Sequence, residues 1–122
     1  MNKSLITGAI GNLLFVMGGA FGAHGLKNVL TETQLDNYHT ALFYLMVHSM
    51  ALLFLGLFQI ITKRPTDLVY WFWSMGVLFF SGSLILFTFS GSKFLIYITP
   101  IGGTLMILGW FFLIIRLIKY RI

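Results

Sequence analysis

The fold class this chain predicts is an all-α integral membrane protein, a four-helix transmembrane bundle with both termini on the cytoplasmic side (N-in/C-in). Three observations predict it. Ser4–Ala23, Tyr38–Ile61, Leu68–Phe89 and Phe94–Ile115 are apolar runs of 20, 24, 22 and 22 residues that contain no Asp, Glu, Lys or Arg. About 20 such residues cross the hydrocarbon core as a helix, which satisfies its own backbone hydrogen bonds where no water can. The 122 residues are 58% hydrophobic and 9% charged, which leaves no material for a soluble domain beside the spans. Charge is also asymmetric. With the N-terminus inside, Lys3, Lys63, Arg64, Arg116, Lys119 and Arg121 fall on the cytoplasmic side and only Lys27 and Lys93 on the other, the positive-inside pattern.

One transmembrane domain over residues 1–122 follows, with helices near 4–23, 32–61, 68–89 and 94–118. The first helix is read as a retained span, although Lys3 and the small residues Ala20 to Ala23 also suit a signal peptide. It is rich in glycine, and Gly18 and Gly22 form a GxxxG step. Small residues let membrane helices approach closely, so this face is expected inside the bundle, against the fourth helix with its Gly102, Gly103 and Gly109. Asn12 is expected to find a hydrogen bond on a neighbouring helix.

His24 to Leu30 reads as an irregular outer connection. Thr31 and Gln34 then have capping-box spacing, with Leu30 and Leu35 placed for the accompanying hydrophobic staple, so the second helix begins near Glu32. The segment Thr62 to Asp67, broken by Pro65, turns the chain into the third helix, and Ser90-Gly91-Ser92-Lys93 turns it into the fourth. Pro100 either opens the fourth helix behind a Thr99 cap or lies within it. Only 16 residues run from Pro100 to Ile115, which favours a proline inside a helix begun at Phe94. Tyr70, Trp71 and Trp73 suit an inner aromatic belt, and Tyr38 and Tyr97 an outer one.

These features exclude several functions. The net charge of +5 sits at helix ends, where it reads as topology and lipid contact and not as nucleic-acid binding. There is no cysteine, hence no disulfide, thiolate nucleophile or iron–sulfur cluster. Asp36 and Asp67 lie on opposite sides of the bilayer, so no Ser–His–Asp set is available, and no carboxylate is embedded in a span. His39 and His48 stand nine residues apart, on opposite helix sides and about 13 Å apart in depth, so they cannot share a metal or haem.

The polar residues that remain converge in the outer half of the bundle: Tyr44 and His48 on the second helix, Ser81 and Ser83 on the third, Thr99 on the fourth. An intramembrane histidine faces the bundle interior or a wet cavity. His48 is therefore expected to be neutral, inward and held by a serine, threonine or carbonyl of another helix, or else to anchor a ligand pocket with the other four.

Gly19-Ala20-Phe21-Gly22-Ala23-His24-Gly25-Leu26, Tyr38-His39-Thr40-Ala41, Phe80-Ser81-Gly82-Ser83-Leu84 and Thr99-Pro100-Ile101-Gly102-Gly103 occur in this order along nearly the whole chain. Together they resemble the small bacterial membrane proteins catalogued as domain of unknown function 423, to which a small animal transmembrane family is related. The resemblance implies four helices in the bacterial inner membrane. The family brings no established activity, so no catalytic residue carries over. The expected role is a non-enzymatic packing, assembly or accessory component, without cofactor, whose partners are the lipid bilayer and either further copies or a larger membrane complex. The alternative is a small transporter or channel with an outer-half pocket of Tyr44, His48, Ser81, Ser83 and Thr99; a third reading is haem or quinone binding.

Overall fold

The computed structural model describes residues 2–120. Four helices form in chain order: α1 (Lys3–Phe21), α2 (Glu32–Thr62), α3 (Asp67–Ser90) and α4 (Phe94–Tyr120). Each belongs to a segment long and apolar enough to cross a membrane. Asn2 caps α1, its side-chain oxygen accepting from the Leu5 N–H. The helix does not stop at Phe21. A π-helical turn, Gly22–Leu26, extends it, so three of the seven residues read as irregular, His24, Gly25 and Leu26, are helical. That turn points Leu26 into the interior beside Tyr38 and Leu42, with Leu30 and Leu35 packed on the same cluster.

The capping box at the start of α2 is complete. Thr31 Oγ1 accepts from the Gln34 N–H, and Gln34 Oε1 accepts from the Thr31 N–H. α2 ends at Lys63, whose φ of 58° is left-handed, a conformation that a non-glycine residue adopts at some cost. α3 ends in the same manner at Gly91, φ 69°, where glycine carries no such cost. Pro100 lies inside α4 and does not open it. An ion pair of 2.9 Å from Lys3 to Asp67, and a 2.8 Å bond from Arg116 to the Pro65 carbonyl, bring the start of α1, the α2–α3 turn and the end of α4 to one end of the bundle. Arg121 lies outside the described residues.

The helices pack as two hairpins, α1 with α2 and α3 with α4, joined through a smaller α2–α3 contact. The glycine faces therefore do not meet each other as expected between the first and fourth helices. A Cβ at Gly8 would lie 2.7 Å from the Ser49 carbonyl, and one at Gly22 would lie 2.7 Å from the Tyr38 ring. At Gly76 and Gly102 it would run into the backbone of the facing helix, α4 and α3 respectively. Glycine thus closes each hairpin upon itself. In lipid there is no hydrophobic drive between helices, so close backbone approach and buried polar bonds supply the attraction.

Three belt assignments change. Tyr38 is 4% exposed and donates its hydroxyl hydrogen to the Gly18 carbonyl, in the notch that Gly18 and Gly22 leave open. Trp73 is 1% exposed and belongs to the core with Val69, Leu52 and Leu55. Tyr70 is also buried, its hydroxyl shared with Thr7 at 2.8 Å. Trp71 and Tyr97 do stay on the outside. Asn12 bonds within its own helix, to the Gly8 carbonyl at 3.0 Å, and not across to a neighbour.

Candidate functional site

His48 sits on the buried face of α2, 3% exposed. Its Nδ1 is 2.9 Å from the Tyr44 carbonyl, one turn back, so Nδ1–H donates there. Its Nε2 is 3.0 Å from Trp110 Nε1, and an indole nitrogen can only donate. One protonation state satisfies both partners, the neutral imidazole with its hydrogen on Nδ1. A proton added at Nε2 would point at the indole N–H and break the α2–α4 bond.

Around this bond the rings form a cluster. Trp73 and Trp110 approach to 4.5 Å between centroids, and each meets the imidazole edge-on, at 6.1 and 5.9 Å. Gly109 makes the cluster possible, because a Cβ there would overlap the pyrrole edge of Trp73. Trp73 Nε1 has no acceptor among the described residues. Below the cluster, toward the end carrying Lys3, a cavity of about 510 Å³ opens between α2 and α4, walled by Phe54, Phe58, Leu113 and Leu117.

The other four expected site residues lie as follows. Tyr44 is 39% exposed, stacks on the His48 ring and packs its edge on Phe80 at 4.9 Å. Ser81 donates to the Ala41 carbonyl at 2.7 Å, tying α3 to α2. Ser83 and Thr99 share a hydrogen bond between α3 and α4, with the Phe80 and Leu95 carbonyls as second partners. Each hydroxyl has one hydrogen, so the pair is an ordered relay, running to Phe80 or to Leu95. Tyr44 is thus together with His48, and Ser83 with Thr99, while Ser81 is held apart on Ala41. The imidazole and the three small hydroxyls are all engaged in joining helices. Trp110 is the residue that inspection of the sequence passed over. Its signal was position: a tryptophan ten residues from the end of α4 is too deep for a belt.

Four lipid-length helices held by buried polar bonds define a multi-pass α-helical membrane protein. The family model described as "Protein of unknown function (DUF423)" matches residues 18–103, and the chain belongs to that family. It is 39% identical to the UPF0382 membrane protein SAB0533 of Staphylococcus aureus over 120 residues, 98% of each chain. A UPF0382 membrane protein of Haemophilus influenzae is 39% identical over 109 residues, 89% of this chain and 88% of its own. YwdK of Bacillus subtilis, another UPF0382 membrane protein, is 33% identical over 122 residues, 98% and 99% of the two chains. No solved structure matches.

Proposed function

We propose that this protein is a non-catalytic component of the bacterial inner membrane, with both termini cytoplasmic, that acts by associating with further copies of itself. The observation that carries this reading is Asn12. Its amide donates one hydrogen bond to Gly8, and its Oδ1 accepts none among the described residues. It lies midway along α1, half-buried, where hydrocarbon offers no partner. Ala9, Val16, Gly19 and Ala23 continue the same face at alternating spacings of three and four, and nothing lies within 4 Å of a Cβ placed at Gly19. That face is turned one residue away from the Ser4–Gly8–Gly11 seam that α2 covers. A carboxamide both donates and accepts, so a second Asn12 is its natural complement, and small neighbours let the two helices approach.

Native mass spectrometry of the detergent-solubilised protein tests the reading. The wild type should run as a dimer or higher oligomer, and Asn12→Leu as a monomer. Monomers in both would overturn self-association, and a stoichiometric foreign subunit would replace it with an accessory role in a larger complex. The transporter reading has less support, because four of the residues it requires, His48, Ser81, Ser83 and Thr99, are engaged in helix–helix bonds.

A further inference from the structure

Hydroxyl groups inside membrane helices ordinarily bond back to the carbonyl four residues earlier. Here Thr62, Thr88, Thr99 and Thr104 all do so. Ser4 and Ser81 instead reach carbonyls of a neighbouring helix. Ser49 and Ser74 do neither. Ser74 Oγ is buried without a partner, and Ser49, on a residue only 3% exposed, has no bonded partner among the described residues.

Both serines line the same cavity, about 300 Å³ between α1, α2 and α3. Gly11 lies opposite Ser49, and a Cβ there would overlap the Ser49 hydroxyl, so glycine keeps that space clear. Thr7 and Ser81 also line it, but their hydroxyls are engaged with Tyr70 and the Ala41 carbonyl, and most of the remaining wall is aliphatic, including Ile10 and Leu14 on α1 and Val77 and Leu78 on α3. Ile10, Leu14 and Leu78 are more than half exposed, so the cavity opens sideways into lipid and not to water.

We infer that this cavity binds a membrane-soluble molecule that carries a carbonyl oxygen on an apolar chain, of the isoprenoid quinone class. Two free O–H groups in an aliphatic recess select an oxygen acceptor with a hydrophobic body. Acyl-lipid esters share that chemistry, but depth separates the two. Ser74 is seven residues into α3, about 10 Å along its axis. Glycerol esters stay at the hydrocarbon boundary, whereas a quinone ring moves freely below it. Such a site lies on the flank of α1 opposite to Asn12, so it stands or falls independently of self-association.

The test is binding of decylubiquinone to the purified full chain, with methyl decanoate as the ester probe. Wild-type protein should bind decylubiquinone, and the Ser49→Ala/Ser74→Ala double variant should bind it about tenfold more weakly. The unliganded melting temperature of that variant should not fall, because neither hydroxyl has a bond to lose. Gly82→Leu fills the open side of the cavity, where nothing lies within 4 Å of a new Cβ, and should abolish binding in a folded protein. Equal binding by wild type and double variant would overturn the assignment, as would binding to neither probe. Preference for methyl decanoate would overturn the quinone class in favour of a lipid chain.

Discussion

Removing the indole N–H while keeping an aromatic ring tests the His48–Trp110 bond most directly. Trp110→Phe leaves His48 Nε2 facing hydrocarbon and aromatic carbon. A buried acceptor stripped of its donor costs about 1–3 kcal/mol in soluble proteins. Between membrane helices, measured couplings average about 0.6 kcal/mol and reach about 1.7. The Trp73–Trp110 ring contact at 4.5 Å adds a packing loss, of which aromatic pairs carry about 0.5–1.5 kcal/mol. The single variant should therefore lose about 1–3 kcal/mol, and only part of that is the hydrogen bond. A double-mutant cycle with His48→Leu separates the two, and its coupling should fall near 0.6–1.7 kcal/mol. Reversible unfolding in mixed micelles supplies the free energies. His48→Gln should retain more stability than His48→Leu, since its carbonyl oxygen can accept from the indole. Nitrogen NMR of the wild type should show Nδ1 protonated and Nε2 bare at neutral pH, and acidification that protonates Nε2 should loosen α4 from α2. A coupling indistinguishable from zero, or a protonated Nε2 at neutral pH, would refute the reasoning.

Gly22→Leu should destabilise the protomer by about 1–3 kcal/mol, because the new side chain meets the Tyr38 ring, whereas Gly19→Leu, with open space within the protomer, should leave its fold intact and weaken self-association instead; melting in detergent and native mass spectrometry distinguish them. Reporter fusions at the C-terminus and after Asn28 should read cytoplasm and exterior, and reversing Lys63 and Arg64 to Glu should disturb that orientation more than changing Lys93. Lys3→Met removes an ion pair whose side chains are half-exposed or more, 47% and 64%, and should change stability by less than about 1 kcal/mol, with the difference vanishing at high salt.

Much of the architecture can be read directly from residues. Hydrocarbon thickness sets the length of an apolar run, so four spans are visible by counting, and the Thr31–Gln34 box marks the start of α2 because its bonds are local. The inward position of His48 follows from the cost of an imidazole in lipid. What the residues do not disclose is which side of each helix faces in. A helix surrounded by lipid is apolar on every side, so its polar periphery, the usual guide, is missing. That is why Tyr38 and Trp73 pass for belt residues, and why the glycines of the first and fourth helices suggest each other as partners. The neighbours are decided by notch-and-ring fits such as Gly22 with Tyr38 and Gly109 with Trp73, which involve residues far apart in the chain. The candidate site suffers similarly. Tyr44, His48, Ser81, Ser83 and Thr99 share a depth, but depth alone does not show that Trp110 donates to His48 Nε2, that the Ala41 carbonyl accepts from Ser81, or that Ser83 and Thr99 bond to each other.

The division of labour between glycine and hydrogen bonds bears on biogenesis. The close glycine contacts lie within α1–α2 and within α3–α4, alongside the bonds Tyr38 to Gly18, Ser4 to Leu52 and Ser83 to Thr99, whereas it is bonds such as Ser81 to Ala41, Trp110 to His48 and Thr7 to Tyr70 that cross between the two pairs. A helical pair leaving the translocon can close on its glycines before the second pair exists, since everything it needs is in its own residues. The polar groups then decide how the finished pairs align, and a misaligned docking would leave hydroxyls and an imidazole stranded in lipid. The order of synthesis and the order of commitment are thereby the same. The short turn from Lys63 to Thr66 is the joint between two units that mature one after the other.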